Sequence, residues 1–234
     1  MTHSTFGMFV KYPEPGRVKT RLAAEIGDRL AADLYAAFVQ DLIARFQDLP
    51  ERRVLAYSPN DETTRAFFER RISRGLLANS GYELWPQPEG NLADRMIAFF
   101  DEFGPEPTVL IGSDSPTLER GDVEYALQRL REVDCVLGPA ADGGLYLIGL
   151  RGVEASRILR KVEWSTSRAL EQTIGEARRF GLSLESLRLW YDIDTLEDLN
   201  FLRGHLATLC QTQTEWDNVS ETRHMLDVLA GKPT

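Results

Sequence analysis

Short apolar runs bounded by turn residues alternate along the chain with longer stretches whose apolar positions recur every three to four residues. That alternation predicts repeated βα units around one mostly parallel sheet with helices on both faces. The runs that predict strands are Thr5 to Val10, Val54 to Tyr57, Tyr82 to Trp85, Thr108 to Gly112, Cys135 to Gly138, Leu145 to Leu150 and Ser186 to Tyr191. Several are apolar on both faces, as strands buried between two helix layers are. The first has Gly7 at its middle, where a central strand is expected to carry a larger side chain.

Between Val18 and Phe46, apolar residues fall at Leu22, Ile26, Leu30, Leu34, Phe38, Leu42 and Phe46, and Gly27 is expected to divide the stretch into two helices. Further helices are predicted over Asp61 to Arg71, Leu92 to Glu102, Arg120 to Glu132, Glu154 to Lys161, Ser167 to Phe180 and Leu196 to Leu209. A last one over Asn218 to Leu229 would be capped by Asn218 or Ser220. No linker, repeat or shift in composition divides the sequence. It therefore reads as one α/β domain over 1–234, with 205–234 as a helical C-terminal extension.

Composition narrows the function classes. With 234 residues, 43% hydrophobic and 27% charged, the chain is ordinary globular material. A net charge of −9 argues against a general nucleic-acid surface, which needs excess Lys and Arg. Two cysteines, Cys135 and Cys210, can build neither a disulfide framework nor a four-cysteine zinc site, so a reduced cytoplasmic setting is expected. His3, His205 and His224 are too scattered to suggest a metal cluster or a triad. No stretch has the length of a membrane span and no secretory signal opens the chain. The acidic balance reverses locally: up to Ala24, Lys11, Arg17, Lys19 and Arg21 face Glu14 alone, which marks a candidate anion site.

Ligands of parallel α/β sheets gather beyond the carboxyl ends of the strands, and four segments there carry chemistry. Lys11-Tyr12-Pro13-Glu14-Pro15-Gly16-Arg17-Val18-Lys19-Thr20-Arg21-Leu22 joins the first strand to the first helix. Its two prolines and Gly16 stiffen the loop, while four cations and the helix's free amides could surround a diphosphate. It is not a Walker A loop, since Pro13 and Val18 stand where that motif has glycines. Cations at a helix start are otherwise unfavourable, which strengthens the anion reading.

Gly112-Ser113-Asp114-Ser115-Pro116-Thr117-Leu118 follows the most apolar strand. Asp114 there suits Mg2+ or Mn2+, although Asp114 or Ser115 equally suits a turn cap. In Gly138-Pro139-Ala140-Ala141-Asp142-Gly143-Gly144-Leu145-Tyr146-Leu147-Ile148-Gly149, Asp142 with Gly143 and Gly144 suits either a hairpin turn or a close backbone approach to a ligand. In Asp192-Ile193-Asp194-Thr195-Leu196-Glu197-Asp198-Leu199, Thr195 or Asp194 would cap the next helix, and either Asp192 or Asp194 could complete a metal site with Asp114.

Together these segments resemble the small bacterial glycosyltransferases once catalogued as a domain of unknown function and associated with radical-SAM and arsenosugar clusters. The resemblance runs from Phe6 to about Leu202, with K-x-P-x-P-G-x-x-K-T-R-L, G-[ST]-D-x-P-x-L, G-P-x-x-D-G-G-x-Y-L-I-G and D-I-D-T-x-E-D-L all intact and in order. It implies a GT-A, or nucleotide-diphospho-sugar transferase, fold and transfer of a sugar from a nucleotide-diphosphate sugar to a small-molecule acceptor. Asp114 and Asp194 would then hold Mg2+ or Mn2+, and Lys11, Gly16, Arg17, Lys19 and Arg21 the phosphates. Gln87 and Gly90 resemble a Q-x-x-G segment that reads the base, with Arg95 close by, and Gly143 and Gly144 would line the substrate. Asp142, or else Glu163, would be the acceptor's general base. The same superfamily holds nucleotidyltransferases that join an NTP to a sugar phosphate, and a non-catalytic nucleotide-binding module is a third possibility. Asn91-Leu92-Ala93 departs from the family's usual Asp-Leu-Gly.

Overall fold

The structure, a computed structural model, describes residues 4–49, 51–73, 81–152, 154–212 and 219–231. Seven strands form one sheet: β1 (Thr5–Lys11), β2 (Arg52–Ser58), β3 (Tyr82–Pro86), β4 (Thr108–Ile111), β5 (Cys135–Pro139), β6 (Leu145–Leu150) and β7 (Leu184–Ser186). Their order is β3-β2-β1-β4-β6-β5-β7. β6 runs antiparallel to both its neighbours and the remaining pairs are parallel. The helices are α1 (Thr20–Ile26), α2 (Asp28–Phe46), α3 (Glu62–Ile72), α4 (Leu92–Phe103), α5 (Arg120–Arg129), α6 (Ala155–Leu159), α7 (Ala169–Arg179), α8 (Leu196–Thr212) and α9 (Ser220–Leu229).

The period-two alternation of the strands divides the core. Phe6, Met8 and Val10 of β1, Leu55 and Tyr57 of β2, and Val109 and Ile111 of β4 face Tyr35, Val39, Ile43 and Phe46 of α2, Phe68 of α3 and Val123 of α5. Their alternates, among them Val54, Ala56, Leu110 and Leu137, pack with Met96, Phe99 and Phe103 of α4 and Ile158 of α6. Helices thus cover both faces, as the pattern predicts.

Gly7 has its explanation on that second face. A Cβ built there would lie 2.1 Å from Cζ of Phe99, so the strand leaves out a side chain where an aromatic ring fills the space. The last strand is shorter and earlier than predicted: regular pairing stops at Ser186, and residues 187 to 191 follow the bulged end of β5 through isolated bonds, Leu187 N–H to Leu137 O and Trp190 N–H to Pro139 O.

β1 lies between β2, which precedes β4 in sequence, and β4 itself, so the chain reverses direction across the sheet at the β1/β4 boundary. Such a switch point opens a crevice at the carboxyl ends of the strands, here after Lys11 and Ile111.

α8 continues without a break through position 205 and joins α9 against α1 and α2, where Ile193, Leu199, Leu202, Leu206, Val219 and Leu226 surround Leu22, Leu34 and Phe38. Of the two predicted caps for α9, Asn218 lies outside the described residues, and Ser220 is the first helical residue rather than the cap. The free amides of Glu221 and Thr222 instead donate to the Asp41 carboxylate of α2, at 3.1 and 2.8 Å. Burial outweighs these hydrogen bonds and the nearby Arg45 charge, and pushes the Asp41 carboxyl up to about 6.

Between pH of about 4 and 6 the folded protein therefore holds a proton at Asp41 that the unfolded chain releases, and stability contributed at this site falls as pH rises through that window. Compared with Asp41→Asn in urea unfolding, the wild type is expected to lose roughly 2 kcal/mol of relative stability between pH 4 and pH 6.5. A difference independent of pH would show that Asp41 ionises in the fold as it does in the unfolded chain.

Candidate active site

A cleft of about 980 Å³ opens at the β1/β4 switch point. Its walls include Lys11, Arg17, Lys19 and Arg21 from the β1–α1 connection, Gln87, Gly90 and Arg95 at the start of α4, Asp114 after β4, Asp142 and Gly144 before β6, and Asp192 and Asp194 before α8. The four motifs far apart in sequence thus meet in one place. Gly16 and Gly143 stand outside the lining. Gly143 has φ +87, and a Cβ there would lie 2.2 Å from Ser167 O, so this glycine allows the turn to approach the backbone after α6.

Backbone and side-chain bonds join the loop after β4 to the segment before α8. Ile193 N–H donates to Asp114 O at 2.9 Å, Thr117 hydroxyl to Tyr191 hydroxyl at 2.8 Å, and Ser115 hydroxyl to the Asp192 carboxylate. Behind them the buried Arg45 guanidinium of α2 donates to Pro116 O and Leu118 O at 2.6 and 2.8 Å. Tyr35, also on α2, joins the ends of β1 and β4: its hydroxyl accepts Lys11 N–H at 2.9 Å and lies 2.7 Å from Ser113 Oγ. Burial raises the Tyr35 pKa and keeps the phenol protonated.

The two aspartates of the D-I-D segment have different surroundings. Burial pushes the Asp192 carboxyl up to about 6, against the Ser115 hydrogen bond and with Asp114 adding to the rise. Asp194 is paired with both Lys19, at 3.1 Å, and Arg21. Lys19 also pairs with Asp114, so one ammonium joins the two carboxylates. Its side chain is only 2% exposed; burial works against its charge, the carboxylates prevail, and its pKa is raised. Thr195 caps α8, exchanging hydrogen bonds with Asp198.

The reading of this site for a divalent ion rests on that convergence. Asp114 Oδ1 and Asp194 Oδ1 both touch a single cationic centre, the position where hard carboxylate ligands would place Mg2+ or Mn2+. Among the described residues no three Asp, Glu, His or Cys side chains are gathered as a metal cage. Two carboxylates, with the other positions left to phosphate and water, are nonetheless the usual protein share in holding Mg2+.

Other predicted residues have more local roles. The Gln87 amide donates to Ala56 O at 2.7 Å, which commits it to the backbone of β2. Arg95 donates to Gly90 O at 3.1 Å and Ser58 Oγ at 3.2 Å. Asn91, where the resembled family has Asp, caps α4 in a reciprocal pair with Asp94. Asp142 Oδ1 accepts Gly144 N–H at 2.8 Å in the turn between β5 and β6, so the hairpin reading holds while the residue also lines the cleft. Glu163 is outside the lining and lies 3.6 Å from Arg168. The wall formed by Trp164, Ser165, Thr166 and Ser167 was not predicted to line the cleft. Its sequence signal is an aromatic residue followed by three hydroxyls, and Ser165 sits at φ 63, a region most side chains avoid.

The sequence profile of the family described as "Uncharacterized protein conserved in bacteria (DUF2064)" matches residues 41–166, more than half of the chain. The chain belongs to the DUF2064 family. This DUF2064 protein is 31% identical to a protein of Desulfovibrio desulfuricans G20 provisionally assigned as a nucleotide-diphospho-sugar transferase, with 99% of this chain and 98% of that one covered and a TM-score of 0.83. It shares its fold with a cytidylyltransferase from Leptospira borgpetersenii, at 12% identity, TM-score 0.57 and coverage of 99% and 95%. The fold also recurs in a CMP:2-keto-3-deoxy-manno-octonic acid synthetase complexed with CTP, at 12% identity, TM-score 0.54 and coverage of 88% and 99%. Among curated proteins none matches the DUF2064 chain. The expected nucleotide-diphospho-sugar transferase fold is thereby established. No helix among the described residues is long and apolar enough to cross a membrane.

Proposed function

We propose that this protein transfers a sugar from a nucleotide-diphosphate sugar to a small-molecule hydroxyl acceptor. The observation that carries the proposal is the Asp114–Lys19–Asp194–Arg21 cluster at the switch-point cleft, where carboxylates and cations meet at the end of β4. The kinship with the Desulfovibrio protein supports a nucleotide-diphospho-sugar transferase-like function. A bound Mg2+ or Mn2+, held by Asp114 and Asp194, would supply Lewis-acid neutralisation of the leaving diphosphate. Lys11 and Arg17 reach the phosphates from the β1–α1 loop, with Lys19 and Arg21 beside the carboxylates. Asp142, with one oxygen fixed by Gly144 N–H, takes the proton of the attacking hydroxyl with the other. The acceptor oxygen bonds to the anomeric carbon, the bond from that carbon to the diphosphate breaks, and the nucleoside diphosphate leaves. The Trp164 to Ser167 wall offers an aromatic face and hydroxyls to the acceptor.

The test is product identity. A panel of nucleotide sugars is first screened by thermal shift with Mn2+, since a ligand at about 100 times its Kd adds roughly 2.7 kcal/mol. The stabilising donors are then incubated with candidate acceptors and analysed by mass spectrometry. Release of a nucleoside diphosphate with a glycosylated acceptor is the expected result. Pyrophosphate release from an NTP and a sugar phosphate would replace this reading with nucleotidyl transfer, and stabilisation without turnover of any donor would make the protein a binding module.

A further inference from the structure

Lys19 is placed unfavourably in two respects. Its ammonium is buried, which costs desolvation, and it belongs to the residue that starts α1, where the helix dipole disfavours cations. Its backbone is left-handed, at φ 47 and ψ 42, although lysine has none of glycine's freedom there. Ala23 N–H donates to Lys19 O at 2.7 Å, which fixes this backbone as the first turn of the helix. The Nζ atom lies 5.9 Å from the ring centres of Tyr35 and of Phe38, which form the apolar floor beneath it. What offsets these costs is contact with Asp114 Oδ1 and Asp194 Oδ1 together.

We propose that Lys19 is a resident counter-ion that a divalent metal must displace, and that a nucleotide's diphosphate draws it away, so that metal entry is coupled to nucleotide binding. An ammonium and a divalent ion cannot both sit between two carboxylates without strong repulsion in a partly desolvated site. With Lys19 and Arg21 in place the pair is already neutralised, and metal alone gains little by entering. A diphosphate offers these cations another anion, and their departure exposes the carboxylates. The coupling is reciprocal: metal tightens nucleotide binding by the factor by which nucleotide tightens metal binding. The coupling rests on the cleft being a nucleotide-diphosphate site; the displacement does not, since it concerns Asp114, Asp194 and the metal alone.

The experiment titrates Mn2+ alone into the full chain and follows free Mn2+ by its paramagnetic resonance signal. Without nucleotide, Lys19→Met is expected to bind Mn2+ at least tenfold more tightly than the wild type, and Lys19→Arg within about threefold of it. Adding Asp114→Asn to Lys19→Met is expected to remove the gain. Lys19→Met binding no tighter than the wild type, or a gain that survives Asp114→Asn, would overturn the displacement. If Lys19→Met does not fold, Arg21→Gln decides, because that side chain is 66% exposed: at least threefold tighter Mn2+ binding supports displacement and unchanged or weaker binding overturns it. A mixture of nucleoside diphosphates is expected to tighten Mn2+ binding more in the wild type than in Lys19→Met, and equal tightening would overturn the coupling. Failure of the sugar-transfer reading appears separately, as absence of nucleoside diphosphate release, and leaves the nucleotide-free titrations standing.

Discussion

Asp114→Asn is expected to slow nucleoside diphosphate release by on the order of 10³, and to lower the melting temperature by about 2–6 °C because the buried Lys19 ammonium loses one of its two carboxylate partners and keeps Asp194. The asparagine keeps the shape of the side chain and removes the charge that faces Lys19 and the candidate metal position. The loop itself does not depend on that charge. Asp114 O still accepts Ile193 N–H, Arg45 still holds Pro116 O and Leu118 O, and the Asp114 side chain is 45% exposed. Single-turnover measurement with saturating donor separates the chemical step from donor binding. Retention of more than a tenth of the wild-type rate would remove Asp114 from the chemistry.

The largest effect on stability is expected far from any ligand, at Gly7→Ala. The added Cβ would meet three atoms of the Phe99 ring, at 2.1, 2.7 and 3.0 Å. That ring is fully buried and packs edge-on against Phe9 and Trp85 and tilted against Phe103. The strand cannot shift to make room, because β1 is paired on both sides, with Val54 and Leu110 opposite Gly7. Overpacking of this kind costs about 3 kcal/mol. For a chain of this size that corresponds to a fall in melting temperature of about 6–12 °C. Phe99→Leu combined with Gly7→Ala is expected to be less damaging than the two losses added together, because the smaller side chain makes room for the methyl. A melting temperature for Gly7→Ala within about 2 °C of the wild type would show that ring and strand separate easily.

Gly7 also shows where reading the sequence stops. Period and turn chemistry place the strands, divide α1 from α2 at Gly27 and put four motif loops at the strand ends, because each is a local property of the chain. The reason for a glycine in the central strand is a ring on α4, and no local pattern connects the two. The basic loop is a similar case. Its four cations are legible as an anion site, but the pairing of Lys19 and Arg21 with Asp194 spans more than 170 residues and exists only once the sheet has formed. Tyr35 and Arg45 were hidden differently: within the period of α2 they read as positions on an amphipathic face, and their polar ends meet the active-site loops only in the fold. For Asp142 both readings apply, since the same carboxylate closes a turn and lines the cleft.

The capture of α9 by Asp41 has a consequence for biosynthesis. Leu34 and Phe38 on α2 are made more than 180 residues before Val219 and Leu226, which help to cover them. During translation this face of α2 is still uncovered when the sheet strands have all emerged, α8 covers part of it, and the amides that Asp41 binds are made later still. A chain that stops shortly before Ser220 therefore contains every residue that lines the switch-point cleft but leaves part of an apolar stripe uncovered. Chaperones and proteases act on such exposed stripes, so the docking of α9 is legible at the surface, at a point remote from the cleft.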